Sequence, residues 1–348
     1  MLLFRILTLL FLFSSIAKAE TKSVGVILPL SGGGASYGVA CKNGIELGLK
    51  DFKDKIGDKF KVIFEDDQNT SSQTLSALRK LRNSNRSDIF LTFSSSTSNA
   101  ISPLADKENF LLFALATDPN VVKERKNAFN YWVTPDEEVK LLIAELLKRN
   151  IKHIAIFTTQ HEGTFAFKKT LEEYLVNTGI EVIFEDEFSP NDRDFRTSLT
   201  KLSKVKNLGG IFNNLYIDQV GLLPKQARDL GIKVPVFSWE LYENAAVIEA
   251  AQGALEGQFF VTAPVGIKEF EIRYKEMFPQ ESVITAANCY DYVGLLAAAP
   301  DISVAGFRSY LETLKDYPGA VGKSSATGDH RFTLPANSGN LSNISKIA

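Results

Sequence analysis

The feature that most constrains this chain is an alternation that occurs twice. Short apolar runs at 24–28, 60–65, 89–93 and 110–114 are separated by stretches with helical spacing at 38–52, 71–83 and 98–108. After Trp132 a second series begins. Strands are expected at 154–157, 181–184, 210–212, 234–237 and 258–261, and helices at 135–150, 165–178, 195–205 and 219–230. Strands alternating with helices in this way predict parallel sheets covered on both faces. The fold class expected is therefore α/β, as two doubly wound parallel-sheet lobes. Breaks near Val133-Thr134-Pro135 and Thr262-Ala263-Pro264, followed by helices at 267–278 and 286–296, suggest that the chain returns to its first lobe. That places residues 20–133 plus 266–326 in one lobe and 134–265 plus 327–348 in the other. Two sequential domains with one linker are the alternative.

The N-terminus carries a positive Arg5, the apolar run 6–13 and the small-x-small triplet Ala17-Lys18-Ala19. This is the pattern of a secretory signal peptide cleaved after Ala19. The run is well short of the ~20 residues a spanning helix needs. No Cys follows the cleavage point, so no lipid anchor is indicated, and the exported chain is expected to be soluble, in the periplasm. Composition is globular, with 45% apolar and 23% charged residues. Lys and Arg (39) nearly balance Asp and Glu (41), with no basic stripe, which argues against a nucleic-acid partner. Cys41 and Cys289 are the two cysteines. Export permits a disulfide, but spacing cannot show that two helical cysteines meet, and two separate buried thiols remain equally open.

Candidate chemistry sits at the ends of strands, where open α/β sheets bind ligands. Ser94-Ser95-Ser96-Thr97 follows one strand and opens a helix. Unpaired N–H groups and the positive dipole end suit such a corner to a carboxylate or phosphate; simple N-capping is the plainer explanation. Ala116-Thr117-Asp118-Pro119 repeats the arrangement after the next strand. Glu240, straight after a strand and Trp239, is a carboxylate placed to hold an ammonium, or else a surface acid. Tyr216 is a wall residue or simple packing. Ser31-Gly32-Gly33-Gly34 invites a dinucleotide, but Gly32, Gly34 and Gly38 give G-x-G-x-x-x-G, which is the wrong spacing. No cofactor is expected. His153, His161 and His330 lack metal-ligand spacing. With no G-x-S-x-G elbow and no C-x-x-C, nothing reads as catalytic. Asp66-Asp67 and Asp192/Asp194 read as solvated loops.

Taken in order, Val26-Ile27-Leu28-Pro29-Leu30-Ser31-Gly32, Tyr37-Gly38, Asn43-Gly44, Ser94-Ser95-Ser96-Thr97, Ala116-Thr117-Asp118-Pro119, Gln226-Ala227-Arg228-Asp229-Leu230-Gly231 and Tyr290-Asp291-Tyr292-Val293-Gly294 resemble the type I periplasmic binding proteins of the leucine/isoleucine/valine-binding kind, from Val24 to about Phe332. The resemblance implies lobes joined by a three-crossover hinge. It implies a monomer that binds an amino acid and delivers it to the permease subunits of an ABC transporter. Ser94 then matches the serine that binds ligand carboxylate, with Ser95 beside it. Thr117 matches the threonine shared by carboxylate and ammonium, Leu115 the donor of a backbone carbonyl, and Glu240 the acid on the ammonium. Tyr216 falls at or next to the tyrosine that helps hold the ammonium, and Tyr37 matches an aromatic of the side-chain pocket. Two departures stand out. Gly163 occupies the place of a second-lobe tyrosine, leaving that wall open or filled by His161 or Phe165. The family's first-lobe disulfide has no cysteines here, with Phe93 at one of its positions. A different small solute, a sensing role and an exported enzyme are the competing readings.

Overall fold

The structure is a computed structural model that describes residues 21–334, except 241, 243, 263–265 and 280, together with the strand at 337–340. The expected signal peptide lies outside the described residues. The first sheet contains β1 (Lys22–Leu28), β2 (Phe60–Asp66), β3 (Ile89–Phe93), β4 (Leu111–Leu115) and β5 (Ala128–Asn130). Its order is β2-β1-β3-β4-β5 and every pairing is parallel. β3 and β4 are buried along their whole length, which is why they read as near-continuous apolar runs, broken only by the buried Thr92, and not as alternation. The connecting helices are α1 (Ala35–Asp51), the short α2 (Lys53–Ile56), α3 (Ser71–Asn85) and α4 (Ser95–Lys107).

The chain then crosses through Tyr131–Thr134 into α5 (Pro135–Lys148) and the second sheet. Here β6 (His153–Thr159), β7 (Glu181–Phe188), β8 (Gly210–Asn214), β9 (Val236–Trp239) and β10 (Phe259–Thr262) repeat the first plan as β7-β6-β8-β9-β10. α6 (Glu162–Leu175), α7 (Arg196–Leu202), α8 (Leu222–Asp229) and α9 (Ala245–Ala251) connect them. The chain returns through α10 (Lys268–Met277), α11 (Ala286–Ala298) and α12 (Val304–Glu312) to a hairpin of β11 (Tyr317–Gly319) and β12 (Gly322–Ser324). A last passage runs beside β5, where Asn130 N–H donates to His330 O at 3.0 Å, and ends in β13 (Asn337–Asn340). The chain thus passes three times between two α/β lobes. One correction concerns the second sheet: β13 pairs antiparallel with β10, so this sheet is parallel only in its other five strands.

The cysteines settle an open point. Cys41 on α1 and Cys289 on α11 form a disulfide, with Cα atoms 5.2 Å apart and a sequence separation of 248. Two glycines let these helices approach. A Cβ on Gly44 would meet Ala286 O at 2.1 Å, and one on Gly48 would meet Val293 Cβ at 2.9 Å. Gly38 has a packing role as well: its Cβ would lie 1.9 Å from Pro29 O. Asp66 and Asp67 are not the solvated loop expected. Asp66 accepts from the backbone N–H of Leu30, Ser31 and Gln68 and so closes the glycine-rich turn. Asp67 is fully buried, accepting from Asn69 N–H and the Thr74 hydroxyl.

Candidate functional site

Each sheet reverses its strand order at one place. In the first sheet the reversal lies between β1 and β3, in the second between β6 and β8. Chains leaving the carboxyl ends of such strand pairs diverge and open a crevice. The loops leaving all four strands, together with those after β4 and β9, meet in one cavity. It is lined by Tyr37, Ser94, Ser95, Leu115, Thr117, Tyr216 and Glu240, which are the residues singled out in the sequence. Trp132, His161 and Gly163 line it too, with Phe93, Ile217, Trp239 and Ile284 supplying apolar wall. Two wider grooves lie elsewhere, one beside Arg125 and His330 and one beside Lys140 and Phe332, but neither collects strand-end residues from both sheets.

The hydroxyl corner divides in two. Ser94 precedes α4, yet its side chain makes no capping hydrogen bond. Its Oγ stands 3.3 Å from His161 Nε2. Ser95 Oγ accepts from Asp118 N–H at 3.1 Å and ties this corner to the Thr117 corner. Ser96 and Thr97 do not line the cavity: Ser96 bonds Glu162, and Thr97 turns back to the carbonyls of Phe93 and Ser94. Thr285 Oγ1 donates to Tyr37 O at 2.8 Å and steadies Tyr37, whose ring stacks on Phe93. The Tyr37 hydroxyl is buried and makes no hydrogen bond.

Of the two fillers considered for the wall at Gly163, His161 is the one present; Phe165 is 41% exposed and outside the cavity. The His161 ring stacks on Tyr216 with centroids 4.0 Å apart. Nδ1 accepts from Gly163 N–H at 3.1 Å, which leaves the ring proton on Nε2, facing Ser94. Burial pushes the imidazole down to about 4, so it is neutral at ordinary pH. A Cβ at Gly163 would sit 3.0 Å from Ser95 Oγ, so a side chain there would press on the first lobe.

Glu240 directly follows β9 and is buried at 6% exposure. Its backbone N–H donates to Val261 O at 2.7 Å, and Trp132 Nε1–H donates to its Oε1 at 2.7 Å. Burial pushes its carboxyl up to about 8, opposed by hydrogen bonds from Trp132 and Glu138. Trp132, on the first crossing, and Glu138, inside α5, are the partners that sequence reasoning missed. An acid triplet at 136–138 in the first turn of a helix reads as an exposed match to the dipole. Only the structure shows that Glu138 points inward. Burial also raises the Tyr216 hydroxyl to about 12, so it stays a neutral donor. Among the described residues no group of acids, histidines or cysteines could hold a metal ion.

The arrangement offers hydroxyls and a neutral imidazole N–H at one end and a buried acid at the other. Ser94 Oγ faces His161, but the Nε2 it faces carries the ring proton and cannot take another, so the two are not a nucleophile with its base. A family profile described as periplasmic binding protein matches residues 21–342. The chain belongs to this family. Its relatives are binding proteins and not enzymes. The Leu/Ile/Val-binding protein BraC3 of Rhizobium johnstonii is 25% identical over 345 residues, covering 91% of this chain and 90% of that protein. A leucine-binding protein from Thermotoga maritima has the same fold, with a TM-score of 0.85, 20% identity and coverage of 93% and 96%. So does a branched-chain amino-acid binding protein from Streptococcus pneumoniae in complex with isoleucine, with a TM-score of 0.79, 21% identity and coverage of 91% and 95%. Among the described residues no helix is long and apolar enough to cross a membrane.

Proposed function

We propose that this periplasmic binding protein is the solute-binding subunit of an ABC importer and that it clamps an amino acid with a branched-chain-like side chain. Residues 1–19 are then a leader removed on export to the periplasm. The lobes expected from the sequence, 20–133 plus 266–326 and 134–265 plus 327–348, then need one adjustment: Arg331 bridges Asn130 and Phe332 packs on Phe113 and Tyr131, so the last return to the second lobe comes after Leu334. The observation that carries this reading is the facing of Ser94 and Thr117, from the first sheet, with Glu240, from the second, across one cavity. In this reading Ser94, Ser95 and Thr117 take the carboxylate, with the Nε2–H of His161 as a further donor. Glu240 takes the ammonium, beside Tyr216 and the backbone carbonyl of Leu115. Tyr37 and the apolar wall face the ligand side chain. The free space is about 20 Å³, of the order of one water, so an amino acid enters when the lobes part by a hinge motion.

The test begins with a thermal-shift screen of amino acids, amides and aromatic carboxylates, because a ligand at 100 Kd adds about 2.7 kcal/mol of stability. Calorimetry then compares the chain with Glu240→Ala. Removing one partner of a buried, hydrogen-bonded charge pair costs about 2–5 kcal/mol, so affinity should fall at least about tenfold. Unchanged affinity in that variant rules out the ammonium role.

A further inference from the structure

Glu138 is fully buried, and neither of its carboxyl oxygens has a hydrogen-bond donor. What stands at hydrogen-bonding range is the carboxyl of Glu240, another acceptor. Two carboxylates meet in a buried site only if one of them carries a proton. Which one follows from their other neighbours. Glu240 already accepts the Trp132 indole N–H, a bond that favours its charged form. Glu138 has no such donor, and burial and the charge of Glu240 both drive its carboxyl well above the usual range. The groups that face Glu240 from other elements supply no cation. Tyr37 and Tyr216 both sense its charge, and Asp218 and Asp67 lie beyond them. His161, stacked on Tyr216, is neutral at ordinary pH.

We propose that Glu138 is a positioning residue for the cation end of the site: as a protonated acid it donates to Glu240 from behind, so that the pair gives up one proton only, from Glu240, and pairs with a ligand's ammonium as a single negative charge. The inference rests on the reading that Glu240 receives the ligand's ammonium. A single charge suits a monocation such as an α-ammonium, and the donated hydrogen bond fixes the Glu240 carboxyl while Trp132 holds its other side. Glu138 does not line the cavity and acts only through Glu240.

The chain carries its own reporter. It has two tryptophans. Trp132 bonds Glu240, whereas Trp239 Nε1–H bonds the Asn214 side chain and serves as an internal control. The indole N–H resonances of the ligand-free chain are followed from acid to alkaline pH. The Trp132 signal should move as Glu240 loses its proton, with a midpoint near 8, and the Trp239 signal should stay still. Glu138→Gln keeps a neutral donor and should leave the midpoint in place. Glu138→Leu removes the donor that favours ionised Glu240 and should move the midpoint upward. A second Trp132 step above the first, showing that Glu138 ionises as well, overturns the proposal. So does a Leu variant that titrates like the parent, or a Gln variant that shifts as far as Leu. If Glu138→Leu does not fold, the parent and Glu138→Gln still decide. No ligand is involved, so a failed titration leaves the amino-acid reading standing, and a failed screen leaves the titration result intact.

Discussion

Ser94 and Glu240 share a costly backbone. Ser94 has φ +83° and Glu240 φ +47°, in the region that side chains other than glycine rarely adopt. Strain of this kind is about 1–3 kcal/mol per residue and persists where the surroundings enforce it. At Ser94 the enforcing bond is its N–H to Leu115 O, at 3.0 Å. A glycine at 94 would relieve the strain but lose the hydroxyl. Ser94→Gly should therefore be more stable than Ser94→Ala by about 1–2 kcal/mol in urea unfolding, the reverse of the usual order. Both variants should bind equally weakly. An alanine variant as stable as the glycine variant would show that the conformation costs nothing. At this scale Ser94 and Glu240 could be picked out from sequence because each directly follows a strand, and Thr117 because it lies two residues past one. Trp132 and Glu138 could not, because their meaning lies in a partner 108 and about 100 residues away in the chain, and His161 was named only as a filler beside Gly163, not as a partner of Ser94.

Helix α1 is joined to the returning chain by chemistry as well as packing. Its disulfide to α11 closes a loop of about 250 residues. Cross-links of this kind typically contribute about 2–4 kcal/mol, chiefly by restricting the unfolded chain. Replacing both Cys41 and Cys289 by Ser should lower the urea midpoint by that equivalent, and adding reductant to the double variant should have no further effect. An unchanged midpoint would mean that the glycine-lined helix contact carries the joint alone. Long, strongly patterned elements were readable: α10 and α11 lie within a residue or two of their expected bounds. The short ones were not. β5 has three residues, β11 and β12 three each, and α9 seven, too few for a period to register. The nine-residue α12 and the edge strand β13 were missed as well; β13 comes from a Ser- and Asn-rich tail, and its place beside β10 is set by the third passage of the chain.

At the scale of the molecule, one plan is used twice. Both sheets run in the same order and reverse at the equivalent place, so the two crevices face each other and the cavity draws on both. The double alternation in the sequence contains that much of the fold. It does not contain the orientation of the lobes, which depends on three passages too short to carry a pattern of their own. Direct bonds now span the gap: Ser94 to His161, Ser96 to Glu162, and Asn244 Nδ2–H to Ser36 Oγ at 2.9 Å. Hinge opening must break all three, and a ligand must replace the first.

The claim on which the rest depends is that one zwitterion spans both lobes. The most direct measurement is a crystal structure of the chain grown with the amino acid that gives the largest thermal shift. Its carboxylate should lie on Ser94 and Thr117 and its ammonium within about 3.2 Å of a Glu240 oxygen. Ligand density outside this cavity, or a ligand turned so that no cationic group meets Glu240, would contradict it.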